Sequence, residues 1–348
     1  MDPRPDNCKL PQTEKPRMKI RNIAIIAHVD HGKTTLVDCL LHQSGLFRDN
    51  QQVAERAMDS NVLERERGIT ILAKCTSVDW SGTRINIVDT PGHADFGGEV
   101  ERILSMVDGV MILVDASEGP MPQTKFVLTK ALSLNLNPIV IINKVDRSDQ
   151  RADQVHDEIF DLFVALNANE QQLDFPTLFA SAKNGWATAD PNTPSEDMGA
   201  LFDLIVEHVP PPNVNPSGEF SLLVTTLETD PYLGRVLTGR IQSGEVRQNM
   251  SIKALNRDSV KIEASRITKL LQFRGLERLP VEEAYAGDIV AIAGFQNATV
   301  SDTLCDNSIT KALKALPIDP PTLAMTFSIN DSPLAGTEGS KVTSREIW

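Results

Sequence analysis

Residues 27–35 read AHVDHGKTT and begin at the last residue of an apolar run at 22–27. The spacing of the glycine, lysine and threonine is that of a phosphate-binding loop, which joins a strand to a helix. In such loops the backbone N–H groups and the helix N-terminus hold the β-phosphate. We predict that Lys33 reaches the β- and γ-phosphates and that Thr34 binds Mg²⁺ through its hydroxyl. The other nucleotide-contacting positions predicted in this loop are Asp30, His31, Gly32 and Thr35.

One departure from the general loop pattern leaves an alternative open. Ala27 stands where the pattern has its first glycine, so these residues alone also fit an ordinary strand–turn–helix with a surface lysine. The next strand candidate provides an independent test because it ends in Asp89, followed by Thr-Pro-Gly-His. An acid at that strand end can hold Mg²⁺ through water, and Gly92 allows an N–H to approach the γ-phosphate. Alone this motif is usually a turn, but one strand after a phosphate loop it is specific.

A later strand candidate ends in Asn143-Lys144-Val145-Asp146. The Asp146 carboxylate can accept two hydrogen bonds from the N1–H and N2–H₂ groups of guanine. Adenine lacks this pair of donors and cannot make the same contact. Ser181-Ala182-Lys183 follows the next strand candidate, where the Ala182 N–H can meet guanine O6. As a solitary tripeptide it would carry no information, but in this order it completes a guanine pocket. The nucleotide-contacting residues predicted here are Asn143, Lys144, Val145, Asp146, Ser181, Ala182 and Lys183.

A charged segment, 64–67, precedes Gly68-Ile69-Thr70 and lies between the phosphate loop and the second strand candidate. It can be read as a solvated helix or loop. The functional interpretation, which we favour, is a switch segment. In that interpretation Thr70 binds Mg²⁺ through its hydroxyl while a γ-phosphate is present and is released after hydrolysis.

Short apolar runs alternate with helical segments from Lys19 to about Pro210. The strand candidates are apolar on both faces, as in a parallel sheet covered by helices on both sides. They lie at 22–27, 84–89, 109–115, 138–143 and 177–180, and the helix candidates lie at 34–42, 98–107, 121–134, 153–166 and 198–209. The pattern predicts a doubly wound, mostly parallel sheet with ligands at the carboxyl ends of the strands. Together with the motifs above, this gives an α/β P-loop GTPase domain over 18–210.

Proline and glycine mark the boundary of a second region. We predict a semi-rigid linker at 211–218, followed by an antiparallel β-barrel domain at 219–310, because short β-rich runs there are separated by glycine. Its strand candidates lie at 220–227, 234–241, 250–255, 262–271 and 288–293. Residues 311–348 are too few to form their own core. The family resemblance described below implies that they are a linker and the incomplete start of an α+β third domain.

The first seventeen residues hold four prolines and almost no apolar side chain, so we expect residues 1–17 to be a disordered extension. A transit peptide is a less favoured alternative, because such segments avoid acids and this one carries three. No apolar run is long enough to cross a bilayer, and no secretory signal opens the chain. We therefore expect a soluble, cytoplasmic monomer. Four cysteines without C-x-x-C spacing argue for reduced, structural thiols: Cys8, Cys39, Cys75 and Cys305.

The formal net charge is -13 over 348 residues. Such a balance repels nucleic acid and anionic membranes in bulk, so no DNA or membrane partner is expected. The excess of acids is concentrated in 18–218, which hold 28 acidic and 16 basic side chains, whereas 219–310 hold 12 acidic and 10 basic ones. Contact with RNA, a partner that the family resemblance described below implies, is therefore expected at the nearly neutral barrel and at the further C-terminal domains of the family rather than at the nucleotide domain.

Taken in order, these motifs resemble those of the translation-factor GTPases, and the match covers nearly all of Lys19 to Trp348. Several segments are similar in particular to the TypA/BipA family. These are 58–60, the run ERERGITILAK at 64–74, ADFGGEVER at 94–102, GPMPQT at 119–124, GLER at 275–278 and VTSR at 342–345. The resemblance implies that the protein binds the ribosome and couples GTP hydrolysis to translation or subunit assembly, commonly under stress. Family members continue with further domains after the position where this sequence ends, which suggests a fragment and puts ribosome engagement in doubt.

The resemblance also assigns His93, which in the family orients the attacking water opposite the γ-phosphate once ribosomal RNA has moved it into place. A histidine is suited to orienting the attacking water, because its imidazole can act without carrying a permanent charge. Asp30 corresponds to a residue that helps to hold a monovalent cation beside the phosphates, and His28 and His31 are interpreted as scaffolding of the loop. The catalytic residues expected are thus His93, Lys33 and Thr70, and the Mg²⁺ ligands are Thr34, Thr70 and Asp89.

These observations lead to a ribosome-acting GTPase with GTP or GDP and Mg²⁺ as the expected ligands. One alternative is a nucleotide-gated binding module, in which GTP orders the switch but this chain hydrolyses very little. A third option, an ATPase or metabolic kinase, would require Asp146 to be incidental.

Overall fold

The computed structural model describes residues 18–45, 73–91, 97–191, 193, 195–275 and 277–315, with six single positions between 325 and 337. Several predicted features lie outside these residues: the extension at 1–17, the switch residues 64–70, Gly92 and His93, and most of the segment after 315. By its internal contacts the chain divides into Met1–Leu316 and Pro317–Trp348, so both predicted domains lie in the first unit. The predicted limits of the individual domains stay predictions.

Seven strands form the first sheet. They are β1 (Lys19–Ala27), β2 (Lys74–Trp80), β3 (Thr83–Asp89), β4 (Gly109–Asp115), β5 (Asn137–Asn143), β6 (Thr177–Ser181) and β7 (Trp186–Thr188), in the order β2-β3-β1-β4-β5-β6-β7. The four neighbouring pairs among β3, β1, β4, β5 and β6 are parallel. The prediction of a mostly parallel sheet is confirmed, and the loops that leave these five strands therefore meet at one edge of the sheet.

The described helices are α1 (Lys33–Gln43), α2 (Gly97–Leu104), α3 (Pro122–Ser133), α4 (Ala152–Ala165), α5 (Glu170–Leu173) and α6 (Gly199–His208). Successive residues of a strand point to opposite faces of the sheet. In β1, Ile23 and Ile25 join a core that includes residues of α1 and α6. Ala24 and Ile26 join the opposite core, which includes residues of α2, α3 and α4. Covering on both faces explains why these strands are apolar throughout.

The sequence did not predict the two edge strands. β2 pairs antiparallel with β3, and β7 pairs antiparallel with β6. Their sequences, KCTSVDW and WAT, lack the continuous apolar run of a central parallel strand. A continuous apolar run is the signal by which a central parallel strand is recognised in a sequence, so neither edge strand was predicted.

The second sheet has eight strands, all joined antiparallel. They are β8 (Ser221–Asp230), β9 (Gly234–Ser243), β11 (Ser251–Leu255), β12 (Lys261–Arg266), β13 (Lys269–Arg274), β14 (Glu277–Pro280), β16 (Ile289–Ala293) and β17 (Thr303–Cys305), in the order β12-β11-β17-β8-β9-β16-β13-β14. A separate pair joins β10 (Glu245–Arg247) and β15 (Glu283–Tyr285). The antiparallel β fold predicted for this region is confirmed.

One predicted strand of this region is wrong in detail. The run 262–271 is two strands, because β12 pairs with β11 whereas β13 pairs with β16 and β14. Between them the Ile267 N–H donates to Met250 O at 3.0 Å, and the Thr268 N–H donates to Ala293 O at 3.0 Å. The backbone thus changes partners within two residues, although the run of side chains gives no sign of a break.

The two sheets meet through an apolar core with polar groups beside it. Val236, Leu271 and Phe273 of the second sheet belong to the same buried cluster as α2, α3 and α4. Next to this cluster, Arg240 Nη1 lies 2.7 Å from Asp108 Oδ1. Among the described residues, the helices are too short or too polar for any of them to cross a bilayer.

Candidate nucleotide-binding site

The phosphate loop links β1 to α1 through two residues in left-handed backbone conformations, Asp30 (φ 63°) and Gly32 (φ 95°). Gly32 is the N-cap of α1, and no side chain caps that end of the helix. A Cβ on Gly32 would lie 2.5 Å from Nδ2 of Asn143. Only glycine fits this position, and an uncapped helix N-terminus presents N–H groups and partial positive charge to an anion.

Lys33 extends from this loop to the end of β3. Its Nζ lies 2.7 Å from Oδ1 of Asp89 and also donates a hydrogen bond to Thr90 O. Asp89 is buried, and Thr90 Oγ1 donates to Ile25 O at 2.6 Å, which ties the end of β3 to β1. The structure therefore brings the predicted lysine and the predicted acid together beside the helix N-terminus.

The residues here fit a magnesium ion by their chemistry. Thr34 is half-buried in the first turn of α1, next in sequence to the lysine that contacts the Asp89 carboxylate. Mg²⁺ takes oxygen ligands and is usually held by one or two protein groups, with water and phosphate oxygens completing its shell. A hydroxyl and a carboxylate in this position match that preference. In the part of the chain that the structure describes, no group of three or more His, Cys, Asp or Glu side chains is placed to bind a metal ion.

Asn143, at the end of β5, connects the phosphate loop to the segment after β6. Its Nδ2 donates to His31 O at 2.9 Å, and its Oδ1 accepts from the Ala182 N–H at 3.0 Å. The side chain is buried. Two loops that are far apart in sequence are thus fixed to one amide group.

Lys144 connects the phosphate loop to the end of β4 in a similar way. Its Nζ donates to Asp30 O at 2.7 Å and lies 2.7 Å from Oδ2 of Asp115 at the end of β4. Burial would raise the pKa of Asp115, but hydrogen bonds from Lys144 and from Ser117 outweigh it and lower that pKa to about 2. The carboxylate stays ionised and holds the lysine in place.

The region predicted to receive the base lies beyond Asn143. Asp146 and Lys183 are exposed, and Asp146 Oδ2 accepts from Asn184 Nδ2 at 3.2 Å. Asn184 Nδ2 also donates to Ser181 Oγ at 2.9 Å. The Ala182 N–H, which the sequence assigns to guanine O6, here donates to Asn143, so O6 would compete with that amide for this donor.

His31 lies beneath the loop with its ring fully buried. Burial lowers the pKa of the His31 ring. Contact with a nucleotide could therefore come only from its backbone, which agrees with the interpretation of His31 as scaffolding. Its ring also packs edge-on against His28, with the centroids 5.2 Å apart.

Three residues that the sequence analysis did not select belong to this site: Asp115, Glu118 and Asn184. A signal existed for Asp115, which ends a parallel strand at the same edge as Asp89 and Asn143. Glu118 and Asn184 lie in connecting loops, and their roles depend on contacts between segments. Of the predicted site residues, Thr70, Gly92 and His93 lie outside the described residues.

Two protein-family models match the chain. The one described as "Elongation factor Tu GTP binding domain" matches residues 18–211, and "Elongation factor Tu domain 2" matches 234–305. A solved protein from Thermus thermophilus has a similar fold with a TM-score of 0.64 and 19% identity, over 86% of this chain and 57% of that one.

Relatives share far more sequence. The large ribosomal subunit assembly factor BipA of Bacillus subtilis is 55% identical over 333 residues, which is 96% of this chain and 54% of the relative. The protein of the same name from Escherichia coli K12 is 54% identical over 329 residues, with 94% and 54% covered. The chain thus spans about half the length of these curated relatives.

Proposed function

We propose that the protein binds guanine nucleotides and hydrolyses GTP, and the premise is that the chain belongs to the family of the elongation factor Tu GTP binding domain. The resemblance to the TypA/BipA family is confirmed by relatives that are 54% and 55% identical. Membership of a family establishes the fold, whereas the chemistry depends on particular side chains at the site. The proposal therefore depends on the residues at the edge of the first sheet.

The observation that carries the proposal is the position of Asn143. By bonding both to His31 O and to the Ala182 N–H, it brings the phosphate loop next to the segments that would hold the base. The exposed Asp146 follows three residues later and can accept the N1–H and N2–H₂ groups of guanine. Residues suited to phosphate binding and residues suited to base selection thus lie at the same edge of the sheet.

Hydrolysis in this proposal is an in-line attack of water on the γ-phosphate. Lys33 and the N–H groups at the start of α1 would stabilise the charge that develops on the phosphate oxygens. His93 would orient the water, as the family resemblance implies. When bound, Mg²⁺ would neutralise charge on the phosphates, and the residues that would hold it are Thr34, Thr70 and, through water, Asp89. A monovalent cation beside Asp30 belongs to the same proposal.

The test is single-turnover release of phosphate from GTP by the wild-type chain and by His93→Ala, each with and without ribosomes. We expect the variant to keep its affinity for GTP, because the side chain acts on water, while its turnover falls on the order of 100-fold, the cost of misplacing a reacting group by about 1 Å. Unchanged turnover in the presence of ribosomes would remove His93 from the mechanism.

We further propose that the ribosome is the partner, on the strength of relatives named as large ribosomal subunit assembly factors. Stimulation of hydrolysis by the ribosome, a cytoplasmic location and a monomeric state are parts of this proposal. The second sheet is the expected surface for RNA, because its region is nearly neutral whereas the nucleotide region is acidic.

A second candidate function is a nucleotide-gated binding module. A form that binds GTP and a partner but hydrolyses very little is chemically consistent with the site, because Lys33, Asn143 and Asp146 can serve nucleotide binding whether or not hydrolysis follows. The same single-turnover experiment separates the two functions. GTP-dependent binding to ribosomes without phosphate release would favour the module, and phosphate release would favour the enzyme.

A further inference from the structure

The segment after β4 contains a side chain for which the proposed reaction has no role. Glu118 lies between β4 and α3, just before the GPMPQT motif at 119–124. Its Oε2 lies 3.2 Å from Nε2 of His31, and half of its side chain is exposed. It is therefore the solvent-facing end of a contact that extends under the phosphate loop.

The neighbours of His31 determine which ring nitrogen carries the proton. Asp115 N lies 3.3 Å from Nδ1, and a backbone N–H can only donate, so Nδ1 must be the acceptor. Leu113 O also lies 3.4 Å from Nδ1, but bonding to it would leave a bare Nε2 facing the Glu118 carboxylate. From these contacts we assign the proton to Nε2, which donates it to Glu118.

Glu118 is held in a rigid segment. Arg151 Nη2 donates to Glu118 O at 3.0 Å, and Arg151 Nε donates to Ser117 O at 2.9 Å. The next residue, Gly119, has a φ of 81°, and a Cβ there would collide with Glu158 and Arg151. Because the backbone on both sides is fixed, only the side-chain torsions of Glu118 must be ordered for its carboxylate to reach His31.

The His31 ring in turn fixes the peptide that joins His31 to Gly32. In a trans peptide the C=O and N–H groups point in opposite directions. Asn143 holds the His31 carbonyl, so the Gly32 N–H faces away from Asn143. The ring, anchored at both nitrogens, prevents the same residue from rotating. An N–H group that is oriented before the ligand arrives binds an anion at lower entropic cost.

We propose that Glu118 is a positioning residue of the nucleotide site, which holds the phosphate loop in its binding conformation by accepting the Nε2–H of the buried His31. This rests on the proposed function, since the loop must receive phosphates for its shape to matter. The residue touches neither nucleotide nor water in the reaction, and it acts only through His31.

The experiment measures the dissociation rate of a fluorescent GDP analogue from the wild type, Glu118→Ala and Glu118→Gln, with the thermal midpoint of each as a check on folding. Loss of one hydrogen bond corresponds to roughly a 2- to 10-fold faster dissociation, which we expect for Glu118→Ala. Glu118→Gln should stay within about 2-fold of the wild type, because its amide oxygen accepts the same N–H. Glu207→Ala, on the exposed side of α6, is the matched control and should match the wild type.

The proposal is overturned if Glu118→Ala releases GDP at the wild-type rate, or if Glu118→Gln is as fast as Glu118→Ala. A double-mutant cycle with His31→Phe adds a second test, because Glu118→Ala should have no further effect once the ring nitrogens are gone. If the wild type binds no guanine nucleotide, the proposed function itself fails, which is a different result from unchanged dissociation in a protein that binds.

Discussion

At the scale of single residues, Asp115 is the charged group that holds Lys144 against the phosphate loop. It ends β4, contacts Lys144 through Oδ2 and accepts from both the backbone and the hydroxyl of Ser117 through Oδ1, each at 2.7 Å. Lys144 passes this constraint on to Asp30 O. One carboxylate thus fixes the positions of two loops, provided that it is ionised.

This dependence predicts how the stability of the protein changes with pH. The pKa of Asp115 is about 2 in the folded protein against an ordinary value of 3.8. Because the folded value is the lower one, its stabilisation, about 2 kcal/mol by proton linkage, is complete above pH ~4 and is lost as pH falls towards 2. Asp115→Asn should therefore show a shallower loss of unfolding free energy between pH 4 and 2, measured by urea denaturation. Equal slopes for the two proteins would contradict this role.

The sequence was sufficient for some residues of the site and insufficient for others. Lys33, Asp89 and Asn143 were predicted because fixed spacing within a motif indicates their chemistry, and the structure brings them to one edge of the sheet. Glu118 and Asn184 belong to no motif. Their positions depend on how the loops after β4 and β6 pack against other segments, which spacing along the chain does not specify.

At the scale of elements, the edge strand β2 is covered by the hairpin of β13 and β14. The Gly275 N–H at the hairpin turn donates to Ser77 O at 3.0 Å. Thr76 Oγ1 donates in return to Gly275 O, and Ser77 Oγ donates to Phe273 O. The unpaired backbone groups of an edge strand are a liability, and this contact satisfies one of them, the Ser77 carbonyl, while two β2 hydroxyls bond the hairpin as well. Gly275, the first residue of the GLER motif, thereby has a role within the molecule.

A single hydroxyl tests this contact. Thr76→Val keeps the shape of the buried side chain but removes the donor to Gly275 O, so we expect a loss of about 1 to 2 kcal/mol in unfolding free energy. Hydrogen exchange should also become faster in β2, while the central strand β4 keeps its protection. Thr129→Val, at an exposed helical position, is the control and should change stability by less than about 0.5 kcal/mol. Unchanged exchange in β2 would contradict the account of the hairpin.

The same scale explains which elements could be predicted. Strands β1, β3, β4, β5 and β6 are apolar on both faces because helices cover both sides, so their runs are visible in the sequence. Strands β2 and β7 have no such run. Each is held by pairing with a neighbouring strand, and β2 also by contact with the hairpin. The boundary between β12 and β13 depends on a change of hydrogen-bonding partner that leaves no trace in the pattern of side chains.

At the scale of the whole molecule, Asp108, which directly precedes β4, forms an ion pair with Arg240 of β9 in the second sheet. Arg240 and Asp108 are each 11% exposed, and Asn22 Nδ2 donates both to Asp108 Oδ2 at 3.0 Å and to Gly287 O at 3.2 Å. Burial raises the pKa of Asp108, and Arg240 opposes that shift. The carboxylate therefore depends on a partner from the other sheet for its stability as an ion.

Removal of that partner should be costly. Arg240→Ala leaves an uncompensated carboxylate at the junction, so we expect the free energy of unfolding to fall by roughly 3 kcal/mol. The double variant Asp108→Asn/Arg240→Met should lose less, because neither charge remains buried alone. Calorimetric unfolding of the three proteins measures this. A double variant that is less stable than Arg240→Ala would contradict the role given to the pair.

Selectivity for guanine is the central claim, because it combines the fold, the loops fixed by Asn143 and the exposed carboxylate of Asp146. The most direct measurement is displacement of labelled GTP from the wild-type chain by excess unlabelled GDP or ATP in the presence of Mg²⁺. We predict that GDP displaces the label and that ATP, even in large excess, leaves it bound. Displacement by ATP as effective as that by GDP, or no binding of GTP at all, would contradict the assignment of this edge of the sheet as a guanine-nucleotide site.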